Sequence, residues 1–202
     1  LLALDNMTIR PLAAIELIRH MLGVKAQILP MSEQPTDLLG LSPCGTAIFG
    51  ETSIDAWPAL PNKLWLEPAV TATPEAVEAL LAADLILLGP GSFLTSLLPP
   101  LLVPELANAI RISEARFVFL ANLQPELGPV GQLSLADQLA WIARLTGRTI
   151  DSVIAPTDAP ELSTPCYRSE LAEQGCYWRH DRDKLLQALE HLMAQPEHVT
   201  CQ

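Results

Sequence analysis

The stretch Ala83–Ser96, with the sequence ADLILLGPGSFLTS, decides the fold of this chain. Its aliphatic run Leu85–Leu88 predicts a buried central strand of a parallel sheet, because such strands are covered on both faces. A Gly-Pro-Gly turn follows at once, and Ser92 then stands where the N-cap of a helix belongs. The stretch therefore predicts a strand, a glycine loop and a helix in direct succession, as α/β folds arrange them.

The same loop is a candidate anion site. Gly89 and Gly91 let the backbone approach a ligand without a Cβ in the way, and the first amides of a helix favour phosphate. The hydroxyls of Ser92, Thr95 and Ser96 can hydrogen-bond phosphate oxygens. The loop lacks both the Gly-Lys-Ser/Thr of a P-loop and the third glycine of the dinucleotide fingerprint, so a glycine turn that serves geometry alone is the alternative.

Composition limits the class of protein. With 202 residues, half of them hydrophobic (50%) and 17% charged, the sequence predicts one α/β domain over residues 1–202. The chain has 12 Lys and Arg against 23 Asp and Glu, a formal charge of −11, which argues against nucleic-acid binding and against docking on an anionic membrane. Its 4 cysteines match no zinc pattern, and reduced thiols of this kind indicate a cytoplasmic protein.

Strands and helices alternate from Pro74 onward, which predicts a Rossmann-like, mainly parallel sheet with helices on both faces. Ser134 is expected to cap one of these helices and Gly147 to close it. Residues 30–66 contain a predicted hairpin and are interpreted as a small insertion or lid, with an ordinary sheet edge as the alternative. The helices are expected at 1–4 (the end of one), 10–22, 73–82, 104–110, 134–145, 161–174 and 181–194, and the strands at 26–31, 36–41, 46–50, 64–66, 85–88, 117–121, 150–155 and 176–178.

Asn122 is a second candidate site residue, because it follows the predicted strand 117–121. Ligands of such sheets bind beyond the carboxyl ends of the strands, so Asn122 and the glycine loop are expected to line one crevice. Its amide can orient a base or sugar, and a strand-end turn is the alternative. Ser32 and Glu33 can either reach a sugar hydroxyl or cap a loop.

No catalytic residue and no metal cluster emerge from the sequence. Asp181 is expected to cap the last helix rather than to pair with His180, because sequence neighbours do not normally face each other. Ser92 is not in a nucleophile elbow, because Leu94 occupies the place of its second glycine.

Ala83–Val103 closely resembles the signature of the 2-phospho-L-lactate transferase/gluconeogenesis factor family. The resemblance extends from about residue 10 to about residue 192 and implies a Rossmann-like fold. Its further matches come in the expected order: Pro30–Pro35, Asp37-Leu38, Gly50-Glu51 with Ile54, Asn122-Leu123 and, near the end, Tyr177–Asp181, which is similar to the closing Tyr-Arg-His-Asp of the bacterial branch.

Two functions are implied by this resemblance. The bacterial branch contains gluconeogenesis factors, which are linked to carbon use and cell shape and of which some bind UDP-sugars without proven turnover. The archaeal and mycobacterial branch transfers a nucleotide-activated phospho-lactate group to a deazaflavin and uses Mg²⁺. The first function is favoured here, with a nucleotide or nucleotide sugar as ligand and a homodimer as the expected assembly. Aromatic residues make up only 5% of the chain, which argues against a deazaflavin wall.

The family's amino-terminal motifs are absent from this sequence. Members begin with a glycine-rich nucleotide loop and an acidic segment, which form another wall of the expected site. We therefore interpret the chain as a C-terminal portion of the family fold, with a divergent or incomplete chain as the alternative. On its own this chain is expected to bind nucleotides weakly or not at all. It keeps only some of the contacts of the complete site, but the entropy lost on association is nearly the same.

Overall fold

The computed structural model describes residues 10–194, which form a mixed α/β fold. The helices are α1 (Pro11–Met21), α2 (Glu51–Asp55), α3 (Pro74–Leu81), α4 (Leu98–Leu101), α5 (Pro104–Ile112), α6 (Leu135–Thr146) and α7 (Arg182–Ala194). The strands are β1 (Asp37–Leu41), β2 (Ala47–Phe49), β3 (Lys63–Glu67), β4 (Leu85–Leu88), β5 (Arg116–Leu120), β6 (Ser152–Pro156), β7 (Cys166–Ser169), β8 (Ala172–Glu173) and β9 (Cys176–His180). A π-helical turn at Phe93–Leu97 leads into α4, and a 3₁₀ turn occupies Gly128–Gln132.

The main sheet has four parallel strands in the order β4-β5-β6-β7. This confirms the predicted parallel sheet, but the central position predicted for Leu85–Leu88 is wrong within residues 10–194, where β4 is an edge strand. An aliphatic run indicates that both faces of a strand are buried. A strand at the edge of a sheet can have both faces buried, because burial of the faces does not require a hydrogen-bonded strand on each side. Leu29 and Met31 line an apolar groove beside β4 together with residues of α3.

Helices cover both faces of this sheet, as predicted, and the strand residues alternate between two apolar clusters. Phe117 and Phe119 are buried in the cluster that contains α5 and α6. Val118 and Leu120, which point the other way, are buried with α7.

The region 30–66 forms a separate antiparallel sheet in the order β2-β1-β3. The predicted hairpin is confirmed, with Leu39 opposite Phe49, and the short helix α2 after it was missed. Ile48, Ile54 and Leu64 are buried in the same apolar cluster as the α5–α6 face of the main sheet. The interpretation of this region as a lid stays a prediction.

Two predicted elements are wrong. Residues 26–31 have no regular structure, because no strand in the described range pairs with them and Pro30 has no amide to donate. The helix predicted at 161–174 is replaced by β7 and β8, since Pro165 interrupts it and its carbonyl accepts from Val153 N at 2.8 Å beside β6. The helix end predicted at Leu1–Leu4 lies outside the described residues.

The amino end of the sheet is fastened by Arg148, which follows α6. Its guanidinium donates to the carbonyl oxygens of Ile110, Ser113 and Ala115 at 3.2, 2.8 and 2.5 Å. It also pairs with the carboxylate of Asp151 at 2.8 Å, which in turn accepts the amide of the second residue of β5 at 2.7 Å. One side chain thus joins the loops before β5 and β6.

Within residues 10–194 no single helix is long and apolar enough to cross a bilayer. The segments Phe93–Leu101 and Pro104–Ile112 reach the required length and apolarity only together, and they meet at a bend of 78°. Both segments bury apolar side chains in the core, which accounts for their apolar sequence.

Candidate functional site

The glycine loop after β4 begins with a residue that must be glycine. Gly89 has a φ of +103°, and a Cβ on it would lie 2.5 Å from the carbonyl oxygen of Leu120 in β5. Both the backbone conformation and the close approach exclude a side chain. The loop therefore leaves the carboxyl end of β4 directly against the end of β5, and its Gly89–Pro90 peptide bond is cis.

Asn122 joins the loop to β5, as the strand-end argument predicted. Its Oδ1 accepts from Gly91 N at 3.2 Å, and its Nδ2 donates to Gly91 O at 2.9 Å and to a carboxylate oxygen of Glu126 at 2.9 Å. The amide therefore uses its donor and its acceptor groups at once. This fixes the position of Gly91 and ties it to an acidic side chain.

A second group of contacts lies at the start of the helical segment. Thr95 Oγ1 approaches both carboxylate oxygens of Asp55, at 3.0 and 3.2 Å, and lies 2.8 Å from Ser92 Oγ. Ser92 Oγ lies 3.5 Å from Asp55 Oδ1. Asp55 ends α2, so the small antiparallel sheet region supplies one side of the site.

Ser92 occupies the predicted N-cap position, but the helix that follows opens in π-helical geometry. The carbonyl oxygen of Ser92 accepts from Ser96 N and Leu97 N at 2.9 and 3.0 Å. Ser96 itself is exposed, whereas Thr95 is buried. The structure thus brings Ser92 and Thr95 together and leaves the Ser96 side chain facing solvent.

The first amide of this helical segment is occupied by a carboxylate. Both oxygens of Glu126 accept from Phe93 N, at 3.0 and 3.1 Å. Burial raises the pKa of Glu126 above its ordinary value, and the nearby charge of Asp55 raises it further, while hydrogen bonds from Phe93, Ser92 and Asn122 lower it. The charged side chains that hydrogen-bond Ser92–Thr95 in residues 10–194 are therefore both acids.

His180 and Asp181 do not form a pair. Asp181 Oδ1 accepts from the amides of Asp183 and Lys184 at 2.9 and 3.1 Å, so it caps α7 as predicted. Burial lowers the pKa of His180, and a hydrogen bond with the backbone of Ala121 partly offsets this effect. Its Nε2 is buried without a hydrogen-bond partner among the described residues.

The remaining candidates are loop caps. Glu33 accepts from Leu12 N at 2.9 Å and pairs with Arg10 at 2.5 Å, and Ser32 Oγ accepts from Gln34 N at 3.1 Å. Both therefore follow the capping alternative that the sequence left open.

Asp55 and Glu126 were missed by the sequence analysis. Glu126 comes shortly after the strand end at Asn122, so the strand-end argument could have included it. Asp55 directly follows Ile54, the last residue of one matched motif, but nothing in the sequence indicates that it reaches Thr95. Hydroxyls, a primary amide and two carboxylates at one place form a site suited to a ligand rich in hydroxyl groups.

The chain has the sequence and the fold of a known family. The sequence model of the protein family described as 2-phospho-L-lactate transferase CofD matches residues 1–196. This chain therefore belongs to the CofD family.

Its relatives in that family carry a more particular name. A Vibrio cholerae protein with the name "Putative gluconeogenesis factor" is 50% identical over 194 residues, which cover 94% of this chain and 66% of that protein. A Pasteurella multocida protein of the same name is 46% identical, with 96% and 64% covered. A crystal structure of a UPF0052 family protein from Bacillus halodurans superimposes with a TM-score of 0.81 at 25% identity, with 89% and 66% covered. The chain thus spans about two thirds of the length of these proteins.

Proposed function

We propose that this chain is the part of a gluconeogenesis factor that contacts a nucleotide sugar, in a cytoplasmic regulatory protein that affects carbon metabolism and cell shape. The observation that carries the proposal is the network formed by Gly91, Ser92, Thr95, Asn122 and two acids at the carboxyl ends of β4 and β5. Ligands of parallel sheets bind at this edge. The names of the relatives support the link to carbon metabolism in this proposal.

Binding, rather than turnover, is the role that we assign to these residues. Asn122 and the two carboxylates hold the loop and its hydroxyls in fixed positions, so the groups that meet a ligand are preorganised. A formal charge of −11 speaks against nucleic acid as the partner. A homodimer is part of the same proposal.

Phospho-lactate transfer to a deazaflavin is the second candidate, because the matching family model carries that name. That function would use Mg²⁺. Within residues 10–194 no group of three or more His, Cys, Asp or Glu side chains is placed to hold a metal ion. Mg²⁺ commonly binds through one or two carboxylates together with substrate phosphates, and we assign no step to it here.

Calorimetric titration tests the proposal. UDP-N-acetylglucosamine is titrated into this chain and into a version extended to the length of its relatives. We expect saturable binding by the extended protein, weak binding by this chain, and loss of binding in Asn122→Ala but not in Asn108→Ala, whose side chain is exposed on α5. Absence of binding by the extended protein, or transfer of a phospho-lactate group to a deazaflavin, would overturn it.

A further inference from the structure

The amide that a helix start offers to an anion is already used in this protein. Phe93 N is the first amide of the continuous helical segment Phe93–Leu101, and both carboxylate oxygens of Glu126 lie within 3.1 Å of it. Glu126 is held there by a second donor, Asn122 Nδ2, at 2.9 Å. The carboxylate thus lies where a phosphate group bound to the helix start would lie.

The charge around this position is unfavourable for a second anion. Asp55 interacts electrostatically with Glu126 and accepts from the hydroxyl of Thr95 in the same segment. A phosphate that approached Phe93 N would meet the Glu126 carboxylate at that amide and the charge of Asp55 near it. It would also have to displace a hydrogen-bonded and half-buried side chain.

The same two carboxylates favour the hydroxyl groups of a ligand. Carboxylate oxygens accept several hydrogen bonds each, and Asp55 and Glu126 both carry acceptors beside the hydroxyls of Ser92 and Thr95. A sugar ring can donate to such acceptors without a charge penalty. The polar groups of the loop therefore suit the sugar portion of a ligand.

From this geometry we infer that Glu126 determines the specificity of the glycine loop: it excludes phosphate from the Phe93 amide, so that the loop contacts sugar hydroxyls and the phosphates of the ligand bind elsewhere. The inference rests on the proposed function for the identity of the ligand. The exclusion of phosphate itself rests only on the contacts of Glu126. It also revises the prediction from sequence that this loop binds phosphate directly.

The test uses pyrophosphate as the probe and calorimetry at pH 7.5 on this chain. Glu126→Ala removes both the charge and the occupant, and Glu126→Gln removes the charge but keeps an acceptor for Phe93 N. We expect pyrophosphate to bind about tenfold more tightly to Glu126→Ala than to the wild type, as the loss of one close like charge predicts. The gain in pyrophosphate affinity is expected to be smaller for Glu126→Gln. Glu78→Gln, on the exposed side of α3, changes the net charge equally and should leave binding unchanged.

A measurement on the wild type keeps the inference testable if the variants unfold. In ¹⁵N–¹H spectra the amide signal of Phe93 should not move when pyrophosphate is added to the wild-type chain. A shift that saturates there, or pyrophosphate binding by folded Glu126→Ala that is no tighter than by the wild type, would overturn the inference. Failure of the extended wild type to bind UDP-N-acetylglucosamine, with the gain in Glu126→Ala intact, would reject the proposed function and leave the exclusion of phosphate standing.

Discussion

Asn122 and Gly91 are joined by two hydrogen bonds in opposite directions. Oδ1 of Asn122 accepts the Gly91 amide at 3.2 Å, and Nδ2 donates to the Gly91 carbonyl at 2.9 Å. A side-chain amide thereby continues the pairing of β4 and β5 past the point where the strands end. The glycine loop is consequently held by the neighbouring strand rather than by its own turn alone.

Substitution of Asn122 should therefore loosen the loop. Asn122→Ala removes both bonds to Gly91 and is expected to lower the free energy of unfolding by about 1–3 kcal/mol. Asn122→Asp should lower it more at neutral pH, because it loses the donor and places a carboxylate against Glu126. Urea denaturation measures both, with Asn108→Ala as the control. Wild-type stability of Asn122→Asp would contradict this reading of the two bonds.

The two loop glycines should respond differently to substitution. Gly89→Ala is expected to cost about 3 kcal/mol or more, because it combines a positive φ with a Cβ 2.5 Å from Leu120 O. Gly91→Ala should cost about 1 kcal/mol, since its Cβ would lie 3.2 Å from a methyl of Leu97.

A bulkier residue at Gly91 should weaken ligand binding more than it destabilises the fold. Melting curves and titration with UDP-N-acetylglucosamine, run on the same samples of the protein extended to the length of its relatives, separate the two effects. Unchanged affinity together with a large loss of stability would mean that Gly91 serves only the turn.

Asp181 is expected to act on stability alone. Asp181→Ala removes the cap of α7 and should cost about 1 kcal/mol, whereas Asp181→Asn keeps a capping oxygen and should cost much less. Urea denaturation followed by circular dichroism measures the difference. An Asp181→Ala variant as stable as the wild type would contradict the capping role. Loss of ligand binding in a stable Asp181→Asn variant would assign a binding role instead.

Cys44 should be the most reactive of the thiols in residues 10–194. It is exposed in the β1–β2 turn, and hydrogen bonds from Ser42 and Thr46 lower its pKa to about 7. The rate of iodoacetamide alkylation should therefore rise with pH through neutrality and level off above about pH 8, where the thiolate is fully formed.

Cys166 is the internal control, because burial raises the pKa of its thiol. Mass spectrometry of the modified peptides gives both rates in one sample. Ser42→Ala should shift the Cys44 profile to higher pH, and an unshifted profile would show that this hydroxyl does not stabilise the thiolate.

The sequence predicted best what depends on neighbours along the chain. Ser134 accepts from Asp137 N at 3.1 Å in a capping box, and Gly147 ends α6 with a φ of +67°, both as their residue types indicate. The strand, loop and helix start at Leu85–Phe93 follow the same rule. The contacts of Glu126 with Phe93 and of Asp55 with Thr95 span 33 and 40 residues, so no local pattern could indicate them.

The misassigned segments have the same physical origin. Residues 161–174 carry helix-forming residues on both sides of Pro165, but the partner strand β6 decides their conformation. Residues 26–31 are aliphatic enough for a strand, and a strand exists only where another pairs with it.

The guanidinium of Arg148 makes the two ends of the main sheet mechanically unequal. At the amino end it clamps three carbonyls and a carboxylate that belong to the scaffold. At the carboxyl end the corresponding hydrogen bonds are made by Asn122, Glu126 and Asp55, which belong to the site that we propose for the ligand. Under the proposed function, the hydrogen bonds that hold the loops at the carboxyl end are the same ones that position the binding groups, so the rigidity of that end and its binding capacity depend on the same side chains.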